Sequence, residues 1–107
     1  MNEIREAKMD GATPIKNSGR GMMKGDAVLG RFLLDYKDYT NSFSISLSNL
    51  HKHARDAWKS DRKVPAQVVT INPKAGSSDR AMKVAVIPWN VFQGLLETEW
   101  KYEELCK

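Results

Sequence analysis

Apolar and polar positions change period several times along this chain, and each change marks an element. Residues 2–10 (NEIREAKMD) carry the mixed spacing of a short helix, with Gly11 as its stop. Residues 13–16 read as a short strand, and Asn17–Gly25, with its three glycines, reads as a loop. Asp26–Leu29 forms a strand, Gly30 turns the chain, and Arg31–Tyr39 (RFLLDYKDY) alternates as the next strand. After a loop over Asn41–Ser46, spacing of three and four places Leu47, Leu50, Ala54 and Trp58 on one face of a helix over Leu47–Ser60, N-capped by Ser46. Pro65 punctuates, Ala66–Ile71 is strand-like, Asn72–Asp79 is a polar loop, and Ala81–Ile87 is a further strand. Asn90 with Gln93 has the form of a capping box, opening a last helix over Val91–Leu105 with Phe92, Leu95, Leu96 and Tyr102 near one face. The order α, β, β, β, α, β, β, α predicts an α/β fold: a mixed central sheet flanked by helices.

Composition narrows this pattern. A chain of 107 residues fits one domain, 1–107, and a 41% hydrophobic fraction is enough for one thin core. The single cysteine, Cys106, excludes an internal disulfide and fits a reducing compartment. No apolar run approaches the ~20 residues of a membrane span, and Met1–Asp10 is charged, unlike a signal peptide. The expectation is a cytoplasmic protein without a membrane partner. Net charge is +4, and its distribution says more than its total. Residues 1–63 hold twelve Lys/Arg against eight Asp/Glu, whereas residues 64–107 hold five of each. The excess would draw a phosphate backbone, and so DNA, to the first half.

That half also carries the candidate chemistry. Strand alternation in Arg31–Tyr39 points Leu33, Asp35 and Lys37 to one face and Phe32, Leu34 and Tyr36 to the other. With the chain turned at Gly30, Asp26 can approach Asp35 across the hairpin. Two close carboxylates repel unless a cation lies between them, and hard oxygen donors suit magnesium, with manganese able to substitute. A lysine beside that ion can orient a water and balance charge on a phosphorane-like transition state. Ser18, Arg20 and Lys24 lie in or beside the glycine-rich loop, where exposed amides and cations suit phosphate contact. Lys52 and Arg55 belong to a basic helix that could add DNA contacts.

The strings KGDA (24–27) and DYK (35–37), preceded by NSGRG (17–21), resemble the PD-(D/E)xK nuclease superfamily, in particular its small Holliday-junction-resolvase-like and phage-type members. In those proteins a helical glutamate, a Ser-Gly loop, a Gly-Asp and an acidic-x-Lys follow in that order. The resemblance covers residues 3 to 72 and implies a restriction-endonuclease-like core. It also implies a magnesium-dependent endodeoxyribonuclease, possible action on branched DNA, and a homodimer. Glu3 or Glu6 would complete the acidic site, and the spacing to Ala7 and Gly11 favours Glu3. One departure is Asp35, where the family more often has the longer glutamate.

Plainer readings stand beside these. Asp26 can be a turn residue, Asp35 and Lys37 a solvated strand face, and Glu3 and Glu6 dipole partners at a helix start. His51 and His53 lack zinc-site spacing and sit in the basic segment Leu47–Lys63, which reads most simply as solvated. Trp58, Trp89 and Trp100 read as core or interface aromatics. Glu97, Glu99, Glu103 and Glu104 make the last helix acidic, so it should face away from DNA. Two other functions fit the same sequence: a nucleic-acid-binding adaptor with little or no cleavage, and a small factor whose last helix docks a protein partner.

Overall fold

The computed structural model describes residues 3–15 and 27–106, with side chains described over 4–15 and 27–99. The element order is α1 (Glu3–Met9), β1 (Thr13–Pro14), β2 (Ala27–Leu29), β3 (Phe32–Thr40), α2 (Leu47–Lys59), β4 (Val64–Asn72), β5 (Met82–Val86) and α3 (Trp89–Cys106). This is the predicted order. The strands form one mixed sheet in chain order, β1-β2-β3-β4-β5. β3 and β4 are parallel, with α2 as their crossover, and the other neighbours are antiparallel.

Local chemistry explains most boundaries. Gly11 ends α1 at φ 75° and Gly30 turns the β2–β3 hairpin at φ 55°, a region that side-chain-bearing residues rarely adopt. Ser46 caps α2, its Oγ accepting from the Asn49 N–H at 3.4 Å. The last helix begins differently from expectation. The Pro88 carbonyl accepts from the N–H groups of Val91 and Phe92, so α3 starts at Trp89 and Asn90 lies inside its first turn. The Asn90–Gln93 pair therefore does not form the entrance. β4 begins at Val64 and runs through Pro65, which a strand tolerates near its first residue.

Each face of the sheet carries its own core. On one, Ala7 and Ala12 pack with Ala27, Leu34, Tyr36 and Ala66, so α1 covers this side. On the other, the fully buried Leu33 and Val69 lie beneath α2, which contributes the buried His53 and Ala57. This corrects the predicted face of α2 in part, since Leu50 and Ala54 stay half-buried on the inner side. Leu47 and Trp58 are exposed, and the packed side is turned by roughly a quarter of a helical revolution toward His53 and Ala57. The packed stripe centres on His53 and Ala57, and Trp58, one position further round the helix from Ala57, is left outside it. Trp89, Phe92 and Leu95 of α3 are also exposed, so Trp58 and Trp89 are not core residues. Among the described residues, no helix is long and apolar enough to cross a membrane.

Candidate functional site

β3 carries the site because it is central and paired on both sides. Its alternation is as predicted: Leu34 and Tyr36 are buried against α1, while Leu33, Asp35 and Lys37 share the α2 face. Leu33 is fully buried, which anchors the same face of the strand two residues before Asp35. The Asp35 side chain is 24% exposed and that of Lys37 42%, with Lys37 Nζ 3.3 Å from Asp35 Oδ2. A carboxylate and an ammonium thus sit side by side at the boundary between core and solvent. There they are held by the strand yet open to a ligand. The parallel register places Gln67 of β4 beside Asp35 on the same face.

His53 completes the surroundings from above. It is 8% exposed, and its Nε2 has no hydrogen-bond partner among the described residues. Burial holds its pKa below the ordinary 6.5, against opposing contributions from Asp35, the Leu33 carbonyl and Asp56, with Lys37 adding to the depression. Burial thus favours the neutral form of the ring beside the Asp35–Lys37 pair. It also lines a cavity of about 260 Å³ between α2 and the β4–β5 ladder, together with Leu50, Ala54, Gln67 and Val86. This role is hidden in the sequence, where His53 lies within a run of basic and polar residues. Only its position three residues after Leu50 and four before Ala57 hinted at an inward face.

The predicted acids do not all converge. Glu6 accepts from Lys83 Nζ at 3.0 Å, and the same ammonium reaches Asp10 at 2.6 and 2.8 Å. Tyr36 donates to Asp10 Oδ2 at 2.7 Å. Since Tyr36 and Asp35 point to opposite faces, Glu6 is engaged across the sheet from Asp35. Burial raises the Asp10 pKa, but the hydrogen bonds from Lys83 and Tyr36 and the Lys83 charge outweigh it and leave the carboxyl below its usual 3.8. Glu6, Asp10, Lys83 and Tyr36 thus form a clamp joining α1 to β5 and β3, which the sequence did not reveal.

Asp26, Ser18, Arg20 and Lys24 lie outside the described residues, as does the side chain of Glu3. The described β2–β3 ladder ends at Ala27↔Leu34, the pair adjoining Asp35. Lys52 and Arg55 are exposed on the outer side of α2. Among the described residues, no three His, Cys, Asp or Glu side chains gather into a metal-binding group. Asp35 alone of the predicted ligands is described at the site, and its partly exposed carboxylate is a suitable hard donor. Comparison of the chain with family models, curated proteins and solved structures finds no match.

Proposed function

We propose that this chain is a magnesium-dependent endodeoxyribonuclease, built on a restriction-endonuclease-like core and acting as a homodimer. The observation that carries the reading is the Asp35–Lys37 pair: an acid and an amine 3.3 Å apart, on one face of a central strand, at the solvent boundary. The resemblance of KGDA and DYK to the PD-(D/E)xK pattern supports it, as does the positive excess of residues 1–63. Asp35 and Asp26 would hold magnesium, or manganese in its place. When bound, that ion supplies Lewis-acid stabilisation and a more acidic water. Lys37 would orient the water whose oxygen bonds to phosphorus as the phosphodiester P–O bond breaks, and its charge would offset that of the pentavalent transition state. Ser18, Arg20 and Lys24 would grip neighbouring phosphates. Glu6 belongs to the α1–β5 clamp and has no part in this proposal.

The test is cleavage of a panel of linear, nicked, flapped and four-way-branched DNAs with magnesium, manganese or EDTA. Asp35→Asn and Asp26→Asn should each abolish cleavage while leaving folding and DNA affinity intact. Lys37→Ala should lower kcat by roughly a hundredfold or more with little change in KM. Wild-type rates in either Asn variant would refute the site. DNA binding with neither cleavage nor magnesium uptake by calorimetry would instead mark an adaptor.

A further inference from the structure

The end of α2 carries a feature that the Asp35–Lys37 site does not use. Trp58 is 64% exposed, although a tryptophan gains most from burial. The Arg62 guanidinium lies over its ring, 5.4 Å from the centroid. This contact is built by an unusual turn. Asp61 and Arg62 both adopt the left-handed conformation, at φ 66° and 54°, which residues with side chains rarely take. The turn is held by hydrogen bonds from Arg62 N–H to the Trp58 carbonyl at 2.9 Å and from Lys63 N–H to the Ala57 carbonyl at 2.8 Å. Ser60 N–H also reaches the carbonyls of Asp56 and Ala57. These bonds occupy the carbonyls that would otherwise repel an anion at a helix C-terminus. Along this end of α2 and its turn, Arg55, Lys59 and Arg62 are all exposed beside a single exposed acid, Asp61, and no described acid forms an ion pair with the three cations. The Val64 N–H bond to the Arg31 carbonyl brings a further exposed arginine's backbone to this corner.

We infer that the Trp58–Arg62 platform binds unpaired nucleotides of DNA, one base stacking on the indole while Arg55, Lys59 and Arg62 hold the flanking phosphates. Charge complementarity selects a polyanion. The exposed flat ring within the basic cluster selects one that also presents planar apolar faces, as unpaired bases do and paired ones do not. An acidic peptide, such as the glutamate-rich α3 of a second copy, would use the charges but gain little from the indole. The inference deepens the nuclease reading and rests on it for the choice of DNA. It directs the enzyme toward junctions, flaps or ends with single-stranded character.

Binding of a fluorescein-labelled single-stranded oligothymidine, and of the same strand in a blunt duplex, is measured by anisotropy in EDTA. Wild type should prefer the single strand. Trp58→Ala should weaken single-strand binding about tenfold or more, while duplex affinity changes less than about twofold. Trp58→Phe should restore part of the loss, and Arg62→Gln should flatten the salt dependence. Unchanged single-strand affinity in Trp58→Ala, with its urea midpoint intact, would overturn the platform. So would a Trp58→Ala variant whose only defect is a lower sedimentation coefficient, since that would assign the surface to a protein partner. Because EDTA removes cleavage, the platform and the nuclease fail separately: loss of single-strand binding in Trp58→Ala stands even if wild type cuts no DNA when magnesium is supplied.

Discussion

At the scale of single residues, the site depends on groups that the protein interior holds in place. Leu33 is fully buried two residues before Asp35 on the same face of β3, so Leu33→Ala should destabilise the fold by about 2–5 kcal/mol in urea titration. It should also loosen the acid it anchors. His53 adds a dependence on pH. Its pKa is lower in the folded chain than the ordinary 6.5, so the unfolded chain binds the proton more readily. Stability is therefore full above about pH 6.5 and falls as pH drops from there toward the folded value. Urea midpoints compared at pH 7.5 and 5.5 should show wild type losing stability on acidification and His53→Gln losing less. An equal loss in both would remove His53 from the account.

At the scale of elements, α1 is a single short helix that could not persist alone in water. It is kept by the burial of Ala7 and by the clamp around Lys83. Burial lowers the Lys83 pKa, but its bonds to Asp10 and Glu6 outweigh that and leave it above the usual 10.5. The clamp is thus fully present below that value and is lost as pH rises through the raised one. Asp10 gives the opposite limit: its contribution is present above 3.8 and is lost as pH falls through the depressed value. The clamp should hold across the neutral range. Because its groups are partly exposed, Lys83→Met should cost only about 1 kcal/mol. Faster amide exchange in α1 than in β3 would be its signature, and uniform acceleration of both would contradict a local clamp.

At the scale of the whole molecule, α3 exposes Trp89, Phe92 and Leu95, with the first two rings 5.5 Å apart. An apolar helix face of this kind suits a self-complementary two-fold contact, and two active sites are what cutting both strands of a duplex requires. The proposed dimer should sediment as one species at micromolar concentration. Phe92→Lys combined with Leu95→Lys should convert it to a folded monomer that nicks one strand. A wild-type monomer that cuts both strands in one encounter would discard the dimer and leave the nuclease reading standing.

What the sequence determined by itself was local. The period of apolar residues set the order of elements, Gly11 and Gly30 set the turns, Ser46 set a cap, and two-residue alternation set Asp35 and Lys37 apart from Tyr36. Each of these follows from backbone geometry within a few residues. Tertiary structure decided the rest. Lys83 meets Glu6 across 77 positions, a pairing that no local spacing encodes. The face of α2 was settled by what fits against β3 and β4. Ala57 and His53 pack over Leu33 and Val69, which leaves Trp58, the next position round the helix, outside although apolar periodicity alone would turn it in. Periodicity measures how apolar a face is, whereas packing also counts volume. The volume available above a sheet exists only once the strands have been brought together.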